Sequence, residues 1–225
     1  MQNLQNTPSF GKKDNTFLSK NNQKLLIDRL FETLYRYHSS ENALVYLSNI
    51  YNNTIKHPRW KDLPKIAKLA YVFWYAEEHH FWAITCLFST ELTSILQKER
   101  FPEDYVRRKL NINFKKYVGY FPQYSFILED IGTNAHLHGI IQSDINKKQL
   151  KHTLKYTFFG ENYRNSSVNN FNVKLEPLHT SEKWLAYILK RNSFEIKLFP
   201  IYTSRELTKA ARFRYQILKE ERMII

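Results

Sequence analysis

Two alternating runs joined by a short turn constrain this 225-residue chain more than any other feature. The first covers residues 124–130 and reads Tyr124-Ser125-Phe126-Ile127-Leu128-Glu129-Asp130. The second covers residues 135–142 and contains His136-Leu137-His138-Gly139-Ile140-Ile141. Side chains alternate across a strand, so Tyr124, Phe126 and Leu128 share one face while Ser125, Ile127 and Glu129 share the other. In the second run Leu137, Gly139 and Ile141 share a face, and His136, His138 and Ile140 lie opposite. Gly132-Thr133-Asn134 predicts a hairpin between the runs. If the hairpin buries one side, the apolar faces coincide and Glu129 joins the two histidines. A register with Glu129 opposite His136 or His138 completes a two-histidine, one-carboxylate site. A one-residue slip would substitute Asp130. Glu129 is preferred, because Asp130 would drag the aromatic face of its strand outward. These mixed ligands suit Mn²⁺ or Mg²⁺, with imidazoles favouring Mn²⁺; zinc is compatible with the ligands alone.

The rest of the chain frames that hairpin. Residues 1–20 are polar and predict a disordered tail. Leu25, Leu26, Leu30, Phe31, Leu34 and Tyr35 recur at helical spacing, and residues 41–51 and 61–75 continue it. An N-terminal helical region over 21–78 follows. The character changes at Glu77-Glu78-His79-His80. The apolar run at 81–88 predicts a buried strand. Pro102 opens a basic helix to Tyr117, carrying Arg107, Arg108, Lys115 and Lys116. Residues 145–158 predict a helix, 160–170 an Asn/Ser-rich loop and 168–176 a strand closing the sheet. A helix at 181–191 has Thr180 as cap and Asn192 as stop. Residues 194–202 predict a last strand. The C-terminal segment, 203–225, carries a basic amphipathic helix at 205–222. This order predicts an α+β fold with a mainly antiparallel sheet over 79–202. The expected arrangement is ferredoxin-like, with helices on one face and the other face open.

Charge narrows the partners. The net charge of +13, with aromatics interleaved among the basic residues, points to a polyanion, most often nucleic acid. The single cysteine, Cys86, excludes an internal disulfide and a multi-cysteine zinc site, and fits a reducing cytoplasmic setting. The N-terminal residues lack a signal-type apolar stretch. The longest apolar region, 66–88, is broken by Glu77-Glu78-His79-His80, so no membrane span is expected. Gly11-Lys12-Lys13 lacks the first glycine and the Ser/Thr of a phosphate-binding loop, so no nucleotide-driven motor of that type is expected.

The helix at 181–191 is amphipathic. Trp184, Leu185, Ile188 and Leu189 form its apolar stripe; Lys183, Tyr187, Lys190 and Arg191 lie together on the opposite side. Helix chemistry alone reads Tyr187 as a surface tyrosine. Its neighbours are cations, and a phenol of ordinary pKa, about 10, needs its anion stabilised before it attacks.

Taken together, the apolar strand at 82–88, His136-Leu137-His138 and Tyr187-x-x-Lys190 resemble the three ordered motifs of the HUH endonucleases. The similarity is greatest to rolling-circle replication initiators (Rep proteins) of plasmids and of single-stranded DNA viruses and phages. Val173-Lys174-Leu175-Glu176-Pro177 also looks like the strand that leads into the tyrosine helix there. The resemblance spans residues 79–200. It implies that Tyr187 attacks a phosphate in single-stranded origin DNA, leaving a 5′-phosphotyrosine and a free 3′-hydroxyl. It implies that His136, His138 and Glu129 hold a divalent ion and that Lys190 stabilises charge beside the tyrosine. Lys183, Arg191, Arg107, Arg108, Lys115 and Lys116 are the expected DNA contacts. A separate helicase is the expected partner for unwinding. The first motif departs from the family in having only Thr85 where threonines are usual. A single candidate tyrosine argues against two-tyrosine relay schemes. HUH transposases and mobilisation relaxases share the chemistry. Relaxases commonly use three histidines, for which His79 and His80 are the nearest candidates. A non-catalytic DNA-binding repressor on this fold and a purely structural metal site are the alternatives of other classes. The N-terminal helices either read duplex DNA beside the nick or mediate self-association, and oligomeric state stays open.

Overall fold

The computed structural model describes residues 59–63, 65–132, 134–160, 172–189 and 200–223. The expected tail at 1–20, the helical region to residue 58, Thr133 of the hairpin turn, the loop from 161 with residues 168–171 of the strand expected after it, Lys190, Arg191, the helix stop at Asn192 and residues 194–199 of the last strand lie outside the described residues. Six α-helices and five strands are described. In chain order they are α1 (Lys65–Glu78), β1 (Trp82–Leu87), α2 (Thr90–Leu96), α3 (Pro102–Tyr117), β2 (Tyr124–Glu129) and β3 (His136–Ile141). Then follow α4 (Lys147–Phe159), β4 (Val173–Pro177), α5 (Ser181–Leu189), β5 (Ile201–Thr203) and α6 (Arg205–Met223).

The strands form one sheet in the order β4-β1-β3-β2-β5, and every described pair is antiparallel. The expected α+β fold with an antiparallel sheet is what forms. The path β1-α3-β2-β3-α4-β4 is a split βαβ arrangement, with β5 added beside β2. Each crossover helix starts where the sequence signals it. Pro102 stands at the first position of α3, where its missing N–H leaves no helix bond unmade. Asn146 caps α4, accepting from the Gln149 amide at 2.9 Å.

The two faces of the sheet bury different things. Ile84, Cys86, Tyr124, Phe126, Leu128, Leu137 and Ile141 pack against Val106, Leu110 and Phe114 of α3 and Leu150, Leu154 and Phe158 of α4. Both helices present residues four apart, one stripe each. The other face is not left open, contrary to the sequence expectation. Ala83, Ile127 and Ile140 pack against Leu185, Ala186, Ile188 and Leu189 of α5, and the same core continues through α1 and α6. Ile127 and Ile140 are the reason: apolar area on the second face gains by leaving water, and the stripe of α5 supplies the cover. This core runs across the sequence boundaries near residues 78 and 202.

The end of α1 fastens that second layer. Its chain reverses through His80 in the left-handed region, φ 55°. The Phe81 amide donates to the Ala76 carbonyl (3.0 Å) and the His80 amide to that of Glu77 (3.3 Å), the pairing of a Schellman cap. Adjacent carboxylates then reach two different helices. Glu77 accepts from the Ser181 amide at 2.8 Å, and Glu78 pairs with Arg214 of α6 at 3.1 and 3.2 Å. Thr180 does begin α5, its carbonyl accepting from the Trp184 amide, but the carboxylate at that helix start comes from α1. Among the described residues no helix is long and apolar enough to cross a membrane.

Gly139 sits in the middle of the central strand for a steric reason. A Cβ there would run into the Ser125 carbonyl oxygen and lie 2.9 Å from Phe126 Cα. Both are backbone atoms of β2, which cannot step aside alone. Gly139→Ala is expected to destabilise the protein by roughly 1–3 kcal/mol, read as a lower urea midpoint. A wild-type midpoint would mean that β2 and β3 do not approach this closely.

Candidate metal centre and active site

The centre begins with register. Glu129 lies opposite His136 across the β2–β3 pair, and Thr85 lies opposite His138 across β1–β3. Alternation puts Glu129, His136, His138 and Thr85 on one face, at the end of the sheet where β1 and β2 finish and β3 starts. Glu129, His136 and His138 are 4%, 8% and 5% exposed. Burial at that level requires each polar atom to be answered by a partner. Each residue offers one ligand atom, and the three atoms lie within 4.8 Å of one another. The imidazole rings stand nearly perpendicular, at 88°, with centroids 4.9 Å apart.

Neighbouring groups decide which ring nitrogens are available. His136 Nδ1 is 3.0 Å from the Asn134 carbonyl. A carbonyl only accepts, so Nδ1 carries the hydrogen and the lone pair of the neutral ring is on Nε2. That Nε2 is 3.4 Å from Glu129 Oε2. His138 Nδ1 is 2.9 Å from the Thr85 hydroxyl; when Nδ1–H donates to it, Nε2 keeps its lone pair. Both rings are thus held from behind, as metal-ligating histidines usually are. The donor set therefore fits a divalent ion. Asp130, the slipped-register alternative, has φ 51°, and its carboxylate is 3.9 Å from His136 Nδ1 rather than Nε2. The Glu129 carboxylate, helped by the Asn134 carbonyl, holds His136 above the ordinary histidine value although burial pulls it down.

Tyr187 comes to this centre from α5. Its ring is 5.4 Å from that of His138, at 89°, and it is 39% exposed. Trp184 lies parallel to it at 5.3 Å, meets His138 edge-on, and its indole N–H donates to the Gly139 carbonyl at 3.0 Å. Tyr187 thus lies toward the polar end of the sheet, while Leu185, Ile188 and Leu189 enter the core. An open groove of about 190 Å³ runs beside it, lined by Ala83, Thr85, Lys174, Glu176, Trp184 and Tyr187.

The expected cations divide. Lys183 is exposed on α5. Lys190 and Arg191 lie outside the described residues. Arg107, Arg108, Lys115 and Lys116 belong to α3, which packs on the opposite face of the sheet. Arg107 pairs with Asp104 at 2.9 Å, and Lys116 lies over the Tyr117 ring at 5.0 Å. These four therefore cannot touch the same phosphate as Tyr187. His79 and His80 precede β1 at Trp82, whereas His136 lies opposite Leu87 at its far end. That separation is roughly 20 Å of extended chain, so neither is a third histidine ligand. Sequence reasoning passed over Trp184, assigned to the core stripe, and over the two exposed charges of β4. Alternation along β4 was the available signal, since Lys174 and Glu176 share a face.

Two outcomes follow for the centre. Thr85→Val removes the hydroxyl behind His138 and is expected to weaken Mn²⁺ binding roughly 10–100-fold, measured by calorimetric titration. Unchanged affinity would leave Thr85 without a part in the centre. A metal takes a neutral imidazole, and His136 becomes neutral only above its raised pKa. Mn²⁺ affinity should therefore fall between about pH 8 and about pH 6, the same titration being run at both. A pH-independent affinity would exclude His136 as a ligand.

Comparison of the chain with protein-family models, with curated proteins and with solved structures finds no match.

Proposed function

We propose that this protein is a metal-assisted tyrosine endonuclease that nicks and rejoins single-stranded DNA, acting as a rolling-circle replication initiator of the kind its motifs resemble. The observation that carries the reading is the placement of Tyr187 against His138, 5.4 Å between ring centroids. A half-exposed phenol there faces the one three-residue metal-capable cluster among the described residues. The net charge of +13 supports a polyanionic substrate.

In this reading the Tyr187 oxygen attacks the phosphorus of a phosphodiester. The new O–P bond leaves the DNA 5′-phosphate on the tyrosine. The bond from phosphorus to the 3′-oxygen breaks, and the proton given up by the phenol is balanced by one taken up at the 3′-hydroxyl. Glu129, His136 and His138 would hold a Mn²⁺ or Mg²⁺ ion, which when bound polarises the phosphate. Trp184 orients Tyr187 by lying parallel to it. Lys190, three positions on in the sequence, supplies the cation that favours the phenolate. The energy of the broken bond stays in the phosphotyrosine, so reversal rejoins the strand without ATP. Unwinding of a duplex origin would fall to a separate helicase.

The test is covalent capture. Incubation with single-stranded circular DNA or origin oligonucleotides and Mn²⁺ should give a denaturant-resistant protein–DNA adduct. Tyr187→Phe should reduce it to background while leaving DNA binding intact. DNA binding with no adduct across metals and sequences would replace this reading with a non-catalytic binder.

A further inference from the structure

The groove beside Tyr187 holds two charges that the chemistry above does not use. Lys174 and Glu176 of β4 both line it, and both are exposed. Lys174 lies opposite Thr85 and Glu176 opposite Ala83, so they are neighbours on one face of an edge strand. They stand about 7 Å apart along the chain, comparable to the span from a nucleotide's phosphate to its base. The facing wall is aromatic, Trp184 and Tyr187 in parallel planes. At about 190 Å³ the open groove has room for one base. A cation, an acceptor and a ring wall at this spacing match the three parts of a nucleotide: phosphate, polar base edge and apolar base face.

We propose that this groove binds one unpaired nucleotide next to the scissile phosphate and selects its base. Lys174 pairs with the phosphate, the ring wall carries the base, and Glu176 accepts from an exocyclic amino group. A carboxylate has no hydrogen to give to a carbonyl, so Glu176 favours cytosine, with its amino group at N4, over thymine, with a carbonyl at the same place. The inference rests on the single-stranded DNA reading above and adds to it where the base is read and by which side chains.

The test needs binding alone. Labelled oligo(dC) and oligo(dT) of equal length are titrated with the full chain in EDTA, by fluorescence anisotropy. The wild type should bind oligo(dC) roughly tenfold more tightly than oligo(dT). Glu176→Gln should bring the two together, because an amide can donate to the thymine carbonyl. Lys174→Ala should weaken both alike and lower the salt slope by about one. Both side chains are exposed, so neither change threatens the fold. Equal wild-type affinities, a preference unchanged in Glu176→Gln, or no binding would each overturn the proposal. Adduct formation separates the two claims. Base preference without an adduct keeps the groove and removes the nuclease. An adduct with an unaltered preference in Glu176→Gln keeps the nuclease and removes the groove.

Discussion

Everything in this molecule depends on the register of the central strand. β3 is bonded on both sides, to β1 and to β2, and a slip of one residue would turn every side chain to the other face. In the observed register Leu137 and Ile141 enter the core under α3 and α4 with Phe126 and Leu128. The same choice turns His136 and His138 toward Glu129 and Thr85. Burial of one face therefore selects the polar cluster on the other. Gly139 enforces the choice, since only a residue without a Cβ lets β2 come so near.

The polar end of the second face is tolerable because its groups answer one another. Glu129 has His136 beside it, and each histidine has an oxygen within hydrogen-bond distance of Nδ1. The same pairings leave the Nε2 side of His136 facing the carboxylate. A buried group of this kind could hold a cation, whose charge would balance the carboxylate. Farther along the face Ile127 and Ile140 take over, and there α5 closes on the sheet. The boundary between polar and apolar halves is where Trp184 and Tyr187 stand.

α5 could not hold that position by itself. A helix of nine residues is too short to persist in water without tertiary contacts. Its start is fixed by the Glu77 carboxylate, its buried side by α1 and the sheet, and Trp184 by a hydrogen bond to the Gly139 carbonyl. α1 is thus a support of the tyrosine helix, and α6 is tied to the same helix end through Glu78 and Arg214.

Much of this was legible in the chain. Alternation at residues 124–130 and 135–142 determined which side chains share a face, because a strand has a period of two whatever surrounds it. Pro102 marked the start of α3 and the stripe of α5 marked its buried side, again because the cause is local. Covering of the second face was not legible, since whether Ile127 and Ile140 meet water or a helix depends on chain far away in sequence. Nor could Trp184 be told from an ordinary core residue, because periodicity orders a helix surface without saying what lies against it. The sequence by itself determined the alternation, the charge and the identities of the two histidines, the carboxylate and the tyrosine. Only the tertiary structure decided that Glu129 sits opposite His136, that Tyr187 reaches His138, and that the basic helix α3 lies across the sheet from both. Register and packing are settled by the summed burial of both faces, a quantity no single segment contains.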